Sequence, residues 1–406
     1  MWNLEKMISD KKVLWICSVW PEPDSSAAGY RTRELLTFLL EAGVNVHVSS
    51  ACQRNDYQSA LEELGIKTYN FAPNDSSFDT FIKKIQPDLV FFDRFMLEEQ
   101  FSWRVKNNCP SAKRILDTID LHFLRRNRAA QKGDLELSTD CLRELASIYR
   151  SDLSLLVSDF EANLLKRDFQ ISDLMLLHLA WSYSLAHKRK SFEERQHFVW
   201  IGNFNHAPNF DSLQFLAEEI WPQIRESFED NKPELHIYGS YQEGKKIVLP
   251  EAMFLKGKAK DAIATLGLYK VNLAPLRFGA GLKGKISDGW CSGTPAVTSQ
   301  IGAEGFAIAD NFGGIVANSP KDFANAAFKL YSQQEVWEQA QNRADKILNT
   351  LFCRETNKEK FLSAIERLVS GETEEKNIVG EILWLQQFRS TEYMARWIEA
   401  KNQRQS

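Results

Sequence analysis

Asn272-Leu-Ala-Pro-Leu-Arg-Phe-Gly-Ala-Gly-Leu-Lys-Gly-Lys-Ile-Ser-Asp-Gly-Trp-Cys-Ser-Gly-Thr-Pro-Ala-Val-Thr-Ser-Gln-Ile-Gly-Ala-Glu-Gly305 is the stretch from which the rest of the chain is read. It runs as strand, glycine-rich turn, basic helix start, second strand and second glycine-rich turn, an order suited to a phosphorylated ligand in an α/β protein. Gly279 and Gly281 let the backbone approach a ligand without a Cβ in the way. Ile286 to Trp290 is predicted as a short helix whose free N–H groups and positive dipole end point at an anion. Lys283 and Lys285 add positive charge at the same spot. Gly293-Thr294-Pro295 ends the helix, since glycine suits its C-terminal end and proline cannot continue it.

Outward from this stretch, short apolar runs alternate with helical patterns. Val13-Leu-Trp-Ile-Cys-Ser18 reads as a buried parallel strand. A turn follows, then a helix from about Tyr30 to Ala42, the stop at Gly43, and the strand Val44–Val48. Lys67–Phe71, Leu89–Phe92, Arg114–Thr118, Leu153–Val157 and Leu174–Leu177 continue the series. The polar run Ala186–Gln196 breaks it and reads as a linker over 186–197. The rhythm restarts with Phe198–Gly202, a helix over 210–228, Glu234–Tyr238, Met253–Leu255, a helix over 260–266 and Lys270–Leu273. Strands alternating with helices predict doubly wound parallel sheets, here in two α/β domains, 1–185 and 198–375. The tail 376–406 reads as a helix whose main apolar residues are Val379, Leu383, Trp384, Phe388, Met394 and Trp397.

The 406 residues are too many for one core and suit two domains. Fifty basic residues against 54 acidic ones give a net charge of −4, which argues against a dedicated nucleic-acid partner. Cys17, Cys52, Cys109, Cys141, Cys291 and Cys353 show no CxxC or CxxH spacing. They read as reduced thiols in a cytosolic compartment, not as a disulfide frame or zinc site. The N-terminal segment has no apolar run with a cleavage site, and no window of about 18–20 apolar residues spans a bilayer. The expected location is cytoplasmic. Arg125–Arg128 and His187–Lys190 are either solvated surface or a means of reaching an anionic membrane at its inner face.

The order of the opening stretch resembles the donor-binding segment of the group 1 (family 4) glycosyltransferases, retaining enzymes of the GT-B fold. Their pattern runs Pro-Leu-Arg, Gly-x-Gly, x-Lys-x-Lys-Ile, an acidic residue, Gly-x-Pro-x-Val-x-Thr, then Gly-Ala-Glu-Gly. The resemblance implies two Rossmann-like domains facing across a cleft, with the last helix crossing back to the first. A surface-lying amphipathic tail is the alternative, disfavoured by its mixed charges. It also implies a nucleotide-sugar donor, a saccharide, lipid-linked or protein acceptor, and neither cofactor nor metal.

Further segments carry the resemblance. Ser25-Ser-Ala-Ala-Gly-Tyr-Arg31 looks like the small-residue turn under the reacting sugar, with Gly29 in it. Arg31 either contacts phosphate or pairs with Glu34 and Glu41. Leu116-Asp-Thr-Ile-Asp-Leu-His-Phe-Leu-Arg-Arg126 sits at a strand end where related enzymes carry a His or Asp facing the transferred sugar. Asp117, Asp120 and His122 are the candidate catalytic groups, able to order an acceptor or sugar hydroxyl. Alternatively, Asp120 caps a helix with His122 packed behind it. Phe198–Asp211 looks like the glycine turn near the diphosphate, where Gly202, Asn203 and Asn205 offer donors and Asn209 caps a helix. Many relatives have an arginine where Asn203 stands, so phosphate charge falls to Lys283, Lys285 or Arg31. Gly239 ends a strand, and Lys258 lies where relatives hold the base or on a solvated face.

The paired glutamates of the family fall on Ala280 and Asp288. Asp288 keeps the charge that would hold the ribose, one methylene shorter, whereas Ala280 and its neighbour Leu282 leave only backbone contacts to the sugar. Glu304 either restores some polarity or caps a helix. Two other readings stand beside a transferase: a catalytically silent GT-B protein that binds a nucleotide or partner chain, and a GT-B epimerase.

Overall fold

The computed structural model describes residues 8–23, 27–131, 133, 135–183, 188–230, 232–240, 248–306, 311–372 and 377–403, without the side chains of 386–389. Ser25, Ser26, Ala186, His187 and the side chain of Phe388, all singled out above, lie outside the described residues. The chain forms two compact units: Met1–Phe123 with Glu136–Trp181 and Glu355–Ser406, and Leu124–Leu135 with Ser182–Arg354.

The first unit is built on a seven-stranded sheet. Its strands are β1 (Lys12–Cys17), β2 (Asn45–Ser50), β3 (Lys67–Asn70), β4 (Leu89–Asp93), β5 (Lys113–Asp117), β6 (Leu153–Leu156) and β7 (Leu176–His178). They run parallel in the order β3-β2-β1-β4-β5-β6-β7. The apolar run in β1 is explained by its place near the middle of the sheet. Trp15 stacks on Phe91 of β4 with ring centroids 4.4 Å apart, and both are buried. Leu174, read above as the start of the last strand, belongs to a 3-10 turn over Asp173–Met175 that leads into β7.

The return of the chain to this unit comes at Glu355, one helix before the boundary read at 376. Phe361, Leu362, Ile365 and Leu368 of the helix Arg354–Ser370 recur at helical spacing and are buried in the first unit's core. The last helix, Ile378–Gln403, packs on helices Phe95–Asn108 and Thr139–Arg150. Trp384 and Ala395 meet Trp103, and Glu399 pairs with Arg104. Its other side leaves Ile378, Ile382, Leu385, Tyr393 and Trp397 exposed. Among the described residues no helix is long and apolar enough to cross a membrane.

The second unit has a six-stranded sheet. Its strands are β8 (Gln196–Ile201), β9 (Leu235–Tyr238), β10 (Met253–Gly257), β11 (Tyr269–Ala274), β12 (Ala296–Thr298) and β13 (Gly314–Val316). They are parallel in the order β10-β9-β8-β11-β12-β13. The helix read over 210–228 is Ala207–Phe215, a widened π turn at Leu216–Ile220, and Trp221–Glu226. Pro222 accounts for the widening, since its ring cannot donate and crowds the preceding turn.

Candidate functional site

In the second unit the strand order reverses between β8 and β11, where a doubly wound sheet opens a crevice beyond its carboxyl ends. The turn after β11 requires glycine, since Gly281 has φ 62° and Gly279 φ 155°. The helix Gly284–Cys291 follows, with Lys283 at its N-cap position giving no side-chain cap. The Lys283 Nζ donates to the Gly281 carbonyl at 2.8 Å. Lys285 is half-buried. Its Nζ donates to Asn209 Oδ1 at 2.8 Å and lies 4.7 Å over the Trp200 ring. Burial pushes its pKa down to about 7. Asn272 holds this helix start to β11 by donating to the Lys285 carbonyl at 2.9 Å.

The neighbouring strand ends are close enough to demand glycine. A Cβ on Gly239 would stand 2.0 Å from the Gly202 carbonyl oxygen, and one on Gly202 would stand 3.0 Å from Lys285 Nζ. Gly202 thus lies against the cation, but its N–H is spent on Tyr238 O at 3.0 Å and is no donor for a ligand. Gly239 N–H is likewise used, on Gly257 O at 2.9 Å. Asn203 and Asn205 are exposed and close on each other through Asn205 N–H to Asn203 Oδ1, at 2.9 Å. Asn209 is not the helix cap, because the cap position is His206. Instead it bridges the turn, donating to Asn203 O at 3.1 Å while accepting from Lys285. Lys258 is exposed just beyond β10.

Asp288 lies on the same helix, half-buried. Tyr183 donates to its Oδ1, and that hydroxyl is 3.1 Å from Ser287 Oγ. Burial pushes the Asp288 carboxyl up to about 6, against the pull of the Tyr183 hydrogen bond. Glu304 accepts a two-pronged pair from Arg128 at 2.7 and 2.8 Å, and Arg128 Nη1 also donates to Gly279 O at 2.8 Å. Ala280 and Leu282 are half-buried within the turn that Arg128 braces. Arg128 and Tyr183 were missed as site residues in the sequence. Arg128 was hidden in a basic run, and a lone tyrosine before a polar stretch carries no signal.

The candidate residues of the first unit are placed differently. Arg31 is 0% exposed and does not reach a phosphate site. Its Nε and Nη2 donate to Asp117 Oδ1 at 3.3 Å each, and Nη1 donates to Leu179 O. Glu34 and Glu41 are not its partners of record; Glu41 pairs with Lys358 at 3.0 Å. Asp117 is equally buried, so it cannot touch a sugar as it stands. Its carboxyl is raised above the ordinary range because burial outweighs Arg31. Gly29 packs on the chain at Glu22, where a Cβ would stand 2.4 Å from the Glu22 carbonyl oxygen.

Asp120 and His122 do come together, with His122 Nε2 3.6 Å from Asp120 Oδ1. They follow Ile119, a non-glycine residue at φ 62° beyond the end of β5. The helix His122–Ala129 is not capped by Asp120 in the expected way. Glu144 accepts from the N–H groups of His122 at 3.1 Å and Phe123 at 2.9 Å, and Glu161 accepts from Leu121 at 3.1 Å. Burial raises the Glu144 carboxyl to about 8, opposed by those two backbone donors.

Residues 195–333 match the family model described as glycosyl transferases group 1. No curated protein matches the sequence. Among solved structures, sucrose-phosphate synthase from Thermosynechococcus elongatus superimposes with TM-score 0.68 at 12% identity, covering 89% of this chain and 100% of that one. S. aureus TarM gives TM-score 0.68 at 12% identity over 88% and 99% of the two chains. HepE of Anabaena gives 0.66 at 10% identity over 87% and 99%. The fold is therefore that of the GT-B glycosyltransferases, with two parallel Rossmann-like sheets. The second unit carries the group 1 glycosyltransferase domain, and the sequence resemblance holds.

Proposed function

We propose that this glycosyltransferase moves a sugar from a nucleoside-diphosphate donor to a hydroxyl acceptor with retention of configuration and without a metal. One observation carries the reading: Lys285 sits beside the glycine turn of the β8/β11 crevice with an amide and an indole as neighbours and no carboxylate partner among the described residues. Such a cation is poised for an anion. The diphosphate would lie on Lys283, Lys285 and the N-terminus of helix Gly284–Cys291, which would stabilise the charge that builds as it leaves. Asp288 would accept from the ribose hydroxyls, and the turn Gly279–Leu282, braced by Arg128 and Glu304, would face the donor sugar. The acceptor hydroxyl would attack on the face of the departing diphosphate, which takes its proton, so no protein nucleophile is required. Asp120 and His122 are the groups of the first unit suited to ordering sugar or acceptor hydroxyls.

The solved HepE structure of Anabaena is titled with UDP-glucose and that of TarM with UDP. A UDP-sugar is accordingly the first donor to test, and glycan or surface polysaccharide synthesis at the cytoplasmic face of a membrane is the setting we infer. One observation favours a second reading, a nucleotide-binding protein without turnover: Ala280 brings no carboxylate, and Asp288 is already engaged by Tyr183.

Thermal unfolding with UDP, GDP, ADP, CMP, dTDP and their common sugars tests the proposal. A ligand at about 100 times its dissociation constant adds roughly 2.7 kcal/mol, worth several degrees. One nucleotide and its sugar should stand out. A flat response to every compound refutes the donor site, and binding without sugar transfer to any acceptor supports the second reading.

A further inference from the structure

We infer that Tyr183 is a positioning residue of the donor site, directing the Asp288 carboxylate at the ribose hydroxyls. The inference rests on the reading of Asp288 as ribose ligand. An aspartate stops one methylene short of the glutamate usual at this place, so its carboxylate reaches less far and profits from a fixed direction. Tyr183 is built to fix it. Its ring leans on Phe352 at 5.3 Å, and its backbone N–H donates to Phe352 O at 3.0 Å, which braces the phenol from behind. In front, the hydroxyl holds Asp288 Oδ1 and stands 3.1 Å from Ser287 Oγ, which itself donates to Gly284 O at 3.0 Å. With Oδ1 engaged, Oδ2 is the oxygen left for a vicinal diol.

The titratable groups that face Asp288 are the Tyr183 phenol, the Cys291 thiol on its own helix and, more distantly, Asp261 at the cap of helix Ala262–Leu266. No lysine or arginine pairs with it among the described residues. Burial keeps the phenol protonated and hence a donor. Removing that donor therefore makes Asp288 easier to protonate, and a protonated carboxyl holds a diol less well.

The experiment is calorimetric titration of the full chain with UDP, GDP and ADP and their 2′-deoxy forms between pH 5.5 and 8. The proteins are wild type, Asp288→Ala and Tyr183→Phe. Wild type should prefer the ribo form of its nucleotide by about tenfold, the scale of a hydrogen bond to a charged group. Asp288→Ala should lose that preference. Tyr183→Phe keeps the ring on Phe352, so its affinity for the deoxy form should be unchanged. Its affinity for the ribo form should fall several-fold, and the pH below which binding weakens should move upward. An Asp288→Ala protein that still discriminates overturns the ribose reading, and the role of Tyr183 with it. Discrimination lost in Asp288→Ala but intact in Tyr183→Phe, with an unmoved pH profile, overturns the role of Tyr183 alone. Absence of binding by all six nucleotides overturns both.

Discussion

Each unit gathers positive charge at the carboxyl ends of its strands, and the two use it in opposite ways. In the first, Arg31 meets Asp117 and Arg94 meets Asp93, with Ser18 joining the second pair. In the second, Lys285 meets an amide oxygen and an indole face. A guanidinium matched by a buried carboxylate is spent on holding the fold. A lysine short of a counter-ion is unfavourable in isolation and gains when an anion arrives. The difference between the two strand ends, more than the glycine content of either, marks which one receives the diphosphate.

The comparison breaks first if the Arg31 pair matters to the donor. Arg31→Met leaves the Asp117 carboxylate buried without its partner, which costs about 3–5 kcal/mol. Urea unfolding should show this as an early transition. Pairing the change with Asp117→Leu should restore much of the loss, because an apolar replacement for both partners removes the stranded charge. Nucleotide affinity should stay at the wild-type value in both variants. A loss of affinity would mean that the charge of the first unit also serves the donor.

Lys285→Ala sharpens the other side. The crevice keeps its glycines and its helix N-terminus, so only the uncompensated cation is removed. Loss of one preorganised group facing developing charge costs about 10²–10³ in rate, and kcat/KM should fall on that scale while urea stability does not. An unchanged kcat/KM would reassign the phosphate to Lys283 and the backbone, and the contrast between the units would lose its functional meaning.

Much of this was legible in the chain because it depends on local pattern. The alternation of apolar runs gave most of the strands, and Gly279, Gly281 and Pro295 bounded the turn and helix at the crevice. The placement of Lys285 followed from its distance from Gly281. What stayed hidden depends on partners remote in sequence. Nothing near Arg31 announces Asp117, which is 86 residues away, and Tyr183 is 105 residues from Asp288. Asn209 was read as a cap because residues of its kind favour caps, yet its side chain serves a lysine 76 residues later. The helix Arg354–Ser370 went to the second domain in the reading because a crossing of the chain leaves no local mark. Only its apolar face against the core of the first unit reveals it.

The smallest effect is also the most specific to the contrast. With its pKa near 7, Lys285 in the empty protein is mostly unprotonated at pH 8. A diphosphate beside it favours the charged form and moves its pKa back toward the ordinary lysine value of about 10.4. Binding at pH 8 should therefore take up a proton, approaching one per site. At pH 6, where the lysine is already protonated, it should take up far less through this residue. At pH 8 Asp288 is ionised in both states, so the uptake belongs to the lysine. Calorimetry in two buffers of different ionisation enthalpy measures it directly, with Lys285→Met as the control that should show none. Arg31 and Arg94 cannot imitate the signal, because guanidinium groups stay charged throughout this range. Binding that releases protons at pH 8, or takes up as many in Lys285→Met, would show that the anion lands elsewhere.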